Sequence, residues 1–220
     1  MNNIIGIIVS FVFVFAVIGI STLLSQKGLL DGEGSRKFIH IAVSNWWIIA
    51  MLTFTDPLWA SFVPLMFVFI NYISYRKNVF KAMERDGSSR DLGTVYYAIS
   101  LLILAYISFA YKVPYLGGIG ILVMGYGDGF AALIGSKYGK HSFKKYGLSK
   151  SLEGSITVFV FAFLVSGILF GIYSSSLFLV KALVIAIAST IIELLSPNGY
   201  DNLSLPLFVS LLSWALVSAL

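Results

Sequence analysis

The sequence has no cysteine, so disulfides, thiolate nucleophiles and cysteine-ligated zinc are excluded together. Its two histidines, His40 and His141, are too few for a metal site built on imidazole, and any metal must rest on carboxylates. Charge is scarce as well. Only 11% of the 220 residues are charged against 58% hydrophobic, and a mean hydropathy of +0.91 is more than a water-soluble domain of this size needs for its core. Lipid is therefore the expected solvent. The net charge of +5 suggests an anionic partner, but the basic residues sit in short loops between apolar runs. Headgroups and nucleotide phosphates fit that placement, and nucleic acid does not.

A hydrocarbon core about 30 Å thick takes about 20 apolar residues per helix. Eight runs qualify: Ile4–Leu24, Phe38–Phe54, Pro57–Tyr75, Leu92–Tyr111, Val113–Ile134, Ser155–Tyr173, Leu177–Leu195 and Leu203–Leu220. The fold class expected is all-α, a polytopic membrane helix bundle of about eight transmembrane helices, forming one integral membrane domain over residues 1–220. The first run has no basic segment before it and no small-residue cleavage site after it, so it reads as a retained anchor helix over 4–24. Residues 36–206 then carry the chemistry. Loops 25–37, 76–91 and 135–154 hold thirteen of the fifteen Lys and Arg residues, among them Lys81, Arg85, Arg90, Lys144 and Lys145. Such loops are retained in the cytoplasm, which puts both termini on the other side. Only Lys112 and Lys181 fall on the far face, where Asp56 is the one acidic residue.

Ionisable groups inside a membrane are costly and need a partner or a purpose. His40, Asp128 and Glu193 are such groups, and the topology sets them at one depth, with Glu153 and Asp201 at the loop edges beside them. Each has a plain reading. His40 can be an interfacial histidine held by a headgroup or a carbonyl, Asp128 half of a buried ion pair, and Glu193 a carboxylate reaching water from a helix end. Around Asp128 the chain reads Gly125-Tyr126-Gly127-Asp128-Gly129-Phe130-Ala131 and continues to Gly135, Lys137, Gly139 and Lys140. The glycines form a small-residue stripe suited to close helix packing. A stripe alone does not account for the aspartate or the following lysines. A carboxylate on glycine-rich backbone followed by lysines is what a metal-triphosphate site requires. Lys150-Ser151-Leu152-Glu153-Gly154-Ser155 opens the sixth run. There Ser151 can cap a helix and Glu153 complement its dipole, or the exposed amides and Lys150 can meet phosphate. Arg36 and His40 are one helical turn apart at the start of the second run.

Taken together, these segments resemble the dolichol kinase, phytol kinase and CTP-dependent diacylglycerol kinase family, itself related to phosphatidate cytidylyltransferases. The resemblance rests on Arg36-Lys37-Phe38-Ile39-His40, on Gly127-Asp128-Gly129-Phe130-Ala131 with Gly135 and Gly139, on Lys150 to Ser155, and on Glu193 followed by Ser196-Pro197, Asp201-Asn202-Leu203 and Pro206. Gly93, Tyr96 and Tyr97 add a weaker match. It implies transfer of the γ-phosphate of CTP to the hydroxyl of a membrane lipid alcohol, with Mg²⁺ or another divalent cation. The roles it implies are Asp128, Glu153 and Asp201 on the metal and in catalysis with His40. Arg36, Lys37, Gly127, Gly129, Lys137, Lys150, Ser151 and Asn202 would bind nucleotide and phosphate. The partners implied are a polyprenol, a phytol-like alcohol or diacylglycerol, and the nucleotide; nothing indicates an oligomer. Trp46, Trp47 and Trp59 read as interfacial anchors.

Two rivals stand beside this reading. A cytidylyltransferase would use the same CTP and cation but attack the α-phosphorus with a lipid phosphate. A transporter or flippase would use His40, Asp128 and Glu193 as an ion relay. A relay should cross the membrane, whereas these groups gather near one face.

Overall fold

A computed structural model of the chain describes residues 3–77, 79–80, 92–145, 148–174, 176–197 and 199–219, without the side chains of 143–145, 148 and 149. Lys81, Arg85 and Arg90 lie outside the described residues, as do the side chains of Lys144 and Lys145. Among the described residues seven helices are long and apolar enough to cross a membrane, so the all-α expectation holds. The contacts gather the chain into two compact units, Met1–Pro114 and Tyr115–Leu220.

The first unit opens with α1 (Asn3–Gln26). The helix stops in a Schellman turn. The Gly28 N–H donates to Ser25 and the Leu29 N–H to Leu24, while Gly28 takes φ +71°, where a residue without Cβ is unstrained. Next come α2 (Gly32–Ser44) and α3 (Trp46–Thr53), in place of the single run expected over Phe38–Phe54. Two local causes explain the difference. The Asp31 side chain accepts the Gly34 N–H, which starts the helix a turn and a half early. At the other end the Asn45 side-chain amide donates to the Ile41 and Ala42 carbonyls, competing with the backbone ladder and dividing the run. The eighth expected crossing is thus two short helices.

This break also changes the tryptophans. Trp46 and Trp47 were expected at the interface, yet they are 1% and 0% exposed. The Trp47 indole N–H donates to the Pro114 carbonyl at 2.9 Å, which satisfies its polar end inside the unit. Trp59 stays exposed. It lies in α4 (Pro57–Lys77), whose first amides at Leu58 and Trp59 donate to the Asp56 carboxylate. The far-side acidic residue is therefore a helix cap. α4 packs along α5 (Gly93–Ala110) and on α1, and α1 also packs on α2 and α3. A second Schellman turn closes α5, with Lys112 at φ +59° and the Val113 N–H on Ser108.

In the second unit α6 (Pro114–Leu122) runs into a π-helical segment (Val123–Asp128) and then α7 (Gly129–Tyr138). Together they form one apolar rod of 25 residues, 72% of whose most apolar stretch is buried. The expected irregular loop after it holds an antiparallel hairpin, β1 (Ser142–Lys145) and β2 (Leu148–Ser151), with Ser142 opposite Ser151 and Lys145 opposite Leu148. Three further helices follow, α8 (Leu152–Tyr173), α9 (Phe178–Leu195) and α10 (Asp201–Ala219). α8 packs against α9, α7 and the π segment, and α10 against α9 and the π segment.

Lys181 is 1% exposed in α9. Its ammonium donates to the Ser174 hydroxyl at 2.9 Å, at the C-terminal end of α8, where the helix dipole favours a cation. Gly120 of α6 lies directly against α10: a Cβ there would run into the Pro206 carbonyl and the Ser210 hydroxyl. Gly120→Ala is expected to cost about 1–3 kcal/mol through overpacking. Gly19→Ala, at a site with nothing near the added methyl, should not lower stability. Thermal unfolding of the two variants in detergent, followed by tryptophan fluorescence, checks the contrast.

Candidate active site

Asp128 closes the π segment. A π turn adds a residue to the helical repeat and is found most often at functional positions. Here the stretch Val123-Met124-Gly125-Tyr126-Gly127-Asp128 carries two glycines, which tolerate the widened turn. Asp128 is 7% exposed, and its side chain makes no capping bond to α7. The carboxylate is thus buried in a helix of a membrane-spanning rod without serving the helix end. Tyr126, Phe130 and Phe161 stack on one another in near-parallel array, with centroids 4.7 to 6.2 Å apart.

The neighbouring glycines serve mainly to bring helices together. Gly135 and Gly139 face Ser151, Gly154 faces the Ala131 carbonyl, and Gly127 faces Val158 across an ordinary van der Waals gap. At the hairpin's exit Ser151 accepts the Gly154 N–H at 3.1 Å, the helix cap foreseen for it. Lys137 is exposed in the last turn of α7, its ammonium 5.4 Å from the Tyr138 ring centre.

Glu153 faces His141 across the base of the hairpin. Its Oε1 lies 2.9 Å from His141 Nδ1, and both carboxylate oxygens accept the His141 backbone N–H at 3.4 Å. His141 remains largely exposed. Lys150, expected at phosphate oxygens, instead reaches from β2 to the end of α9. It donates to the Glu193 carboxylate and, at 3.0 Å, to the Glu193 carbonyl. Glu193, for which reaching water was one of the two readings, is 5% exposed, so the pair is desolvated and also satisfies one of the last carbonyls of α9. At the start of α10 the Asp201 Oδ1 accepts the Asn202 N–H at 2.9 Å. Asp201 is half-buried and Asn202 buried.

Among the described residues no three His, Asp or Glu side chains gather around a point that would hold a metal ion. The three-carboxylate cage expected of Asp128, Glu153 and Asp201 is not assembled, and the position of Glu153 against His141 gives a reason. Mg²⁺ seldom needs such a cage, since it keeps waters and binds one or two carboxylates together with substrate phosphates.

In the first unit Arg36 pairs with Glu33 one turn away along α2. Lys37 and His40 are buried, at 4% and 8% exposure. The His40 ring meets Tyr97 edge-on with centroids 4.9 Å apart, and the Tyr97 hydroxyl donates to the His40 carbonyl at 3.2 Å. Asn71 of α4 donates to the Thr94 carbonyl at 2.9 Å.

The chain is 35% identical over 209 residues to phytol kinase of Synechocystis sp., an alignment covering 91% of this chain and 86% of that protein. It is 29% identical to phytol kinase 1, chloroplastic, of Arabidopsis thaliana, covering 84% and 66% of the two chains. It is 27% identical to farnesol kinase, chloroplastic, of the same plant, covering 94% and 73%. The chain belongs to the phytol kinase family. No protein-family model matches it, nor does any solved structure.

Membership in the phytol kinase family makes the protein a kinase, and its long apolar helices make it a membrane one. Three partnerships escaped the sequence: His141 with Glu153, Glu193 with Lys150, and Tyr97 with His40. Each joins residues from separate elements, so no helical or strand spacing announces it. The first two depend on the hairpin, which brings positions twelve and forty-three residues apart together.

The Lys150–Glu193 pair is the strongest tie from the hairpin to the helices. Lys150→Met or Glu193→Leu alone is expected to cost about 3–5 kcal/mol by leaving a buried charge or carbonyl unmatched. Lys150→Met combined with Glu193→Leu should cost much less than the sum of the two single changes. A double-mutant cycle on unfolding in detergent measures this.

Proposed function

We propose that the chain transfers the γ-phosphate of CTP to the hydroxyl of a membrane lipid alcohol, a polyprenol, a phytol-like alcohol or diacylglycerol. The observation that carries the proposal is the buried Asp128 on a π turn of an otherwise apolar spanning helix. A carboxylate in that position costs too much to be kept without a task. Relatives named phytol kinase and farnesol kinase over most of the chain support a prenyl-type alcohol. Retention of the basic loops 25–37, 76–91 and 135–154 on the cytoplasmic side supports a site facing the cytosolic nucleotide, with both termini opposite.

In the reaction the alcohol oxygen forms a bond to the γ-phosphorus, the bond from that phosphorus to the β-phosphate oxygen breaks, and the hydroxyl proton is released. CDP and a lipid monophosphate are the products. Such transfers depend on positioning and charge neutralisation more than on covalent chemistry. Mg²⁺ on the triphosphate would supply much of the neutralisation, with Asp128, and Asp201 at the start of α10, as the residues to hold it. Lys137 would draw the phosphates to the membrane surface. Asn202 would contact nucleotide or alcohol. Glu153 acts by holding the hairpin through His141, and Lys150 by anchoring it to Glu193.

Purified protein given CTP labelled in its γ phosphate should move label to a lipid alcohol, and CTP labelled in its α phosphate should leave lipid phosphates unlabelled. The opposite pattern would make it a cytidylyltransferase, and transfer from ATP alone would remove CTP. Asp128→Asn should lower kcat by at least about 100-fold with an unchanged unfolding midpoint.

A further inference from the structure

An apolar groove of about 650 Å³ runs between the end of α9 and the first half of α10. We infer that it seats a single prenyl chain of the alcohol substrate, with the alcohol's hydroxyl at Ser196 and Ser204; this rests on the kinase reading above. The groove is formed by two helical stripes. On α10 they are Ser204, Leu207, Phe208 and Leu211, spaced i, i+3, i+4 and i+7. On α9 they are Ile192, Leu195 and Ser196, spaced i, i+3 and i+4. Side chains at these spacings share one face of a helix, so the two faces make the walls of a trough.

Three features select its occupant. Its mouth is the turn at Pro197 and Tyr200, next to Asp201 and Asn202, and from Ser204 to Leu211 it follows α10 inward for roughly 10 Å. A guest therefore has its polar end beside the candidate site and its tail along the spanning helices. Among the described residues that line the trough, those with polar side chains are Tyr200 at the mouth and the hydroxyl pair Ser196–Ser204, 2.8 Å apart. Ser196 also donates to the Ile192 carbonyl at 2.8 Å and Ser204 to the Tyr200 carbonyl at 3.0 Å. Two hydroxyl protons are thus shared among three contacts, and what the oxygens retain is acceptor capacity. That suits a guest that donates, such as an alcohol O–H, and disfavours an anionic headgroup. Among the described residues no basic side chain lines the trough. Finally, its volume is that of a site for one small ligand, which favours one chain over the two of diacylglycerol.

The test uses the full-length protein in detergent without nucleotide, with a three-isoprene-unit alcohol carrying a diazirine at its tail. Photolabelling should fall on residues 192–211 and be displaced by the unlabelled alcohol but not by phosphatidylcholine or diacylglycerol. Leu207→Trp, which fills the trough, should reduce the preference in kcat/KM for the three-unit over a one-unit prenyl alcohol by about tenfold or more, the loss expected for a few unburied methylenes. Displacement of the label by phosphatidylcholine equally well, or label elsewhere, would overturn the proposal by making the groove an ordinary lipid contact. An unchanged chain-length preference in a folded Leu207→Trp protein would overturn it too. Should that variant fail to fold, the labelling of the unmodified protein decides. Selective labelling without phosphate transfer to any alcohol would count against the kinase reading and leave the groove standing; transfer without labelling would do the reverse.

Discussion

A polar group inside a bilayer has no water to turn to, and it must find its partner within the protein. Helices satisfy this for the backbone except at their ends and breaks, and several polar side chains of this chain are found at those places. Asp31 and Asp56 take first-turn amides, Asn45 takes carbonyls at the break between α2 and α3, and Ser151 takes an amide at the start of α8. Lys181 and Lys150 stand at the ends of α8 and α9. The scarcity of charge that marks the sequence makes each buried ionisable group conspicuous, and Asp128, 7% exposed inside a spanning helix, is prominent among them.

The geometry around Asp128 follows from the same economy. Glycine at 120, 135, 139 and 154 lets helices and the hairpin approach to backbone contact, which gives the second unit its tight rod of α6, π segment and α7. Within that rod the π turn is a departure from the regular ladder, and it carries the aspartate. The hairpin is then held at both ends, by Glu153 at its base and by Glu193 under Lys150. Two carboxylates that the sequence does not set apart from the others thereby become supports.

Much of this was legible in advance. Length and apolar content announced spanning helices. The segments from Arg36 to Asn202 resembled the lipid-alcohol kinases, and the phytol kinase relatives agree over most of the chain. The capping role of Ser151 was one of the readings its neighbours allowed. What stayed hidden had physical causes. Asn45 divides a run whose hydropathy shows no dip, because one side-chain amide suffices to compete for carbonyls. The π turn shifts the helical phase after Val123, so a stripe counted at a regular repeat through Gly125 and Gly129 misjudges which faces meet. The tryptophans 46 and 47 looked like interfacial anchors until the divided helix put them inside.

The sequence by itself determined the solvent and the helices, since apolar runs of membrane length and the clustering of basic loops are properties of residues in order. It also determined which ionisable groups were too costly to be incidental. Only the tertiary structure decided how those groups are shared out. Partners for Lys150, Glu153, His40 and Lys181 come from other helices or from the hairpin, and a pairing between elements is fixed by packing in three dimensions, which spacing along the chain does not encode.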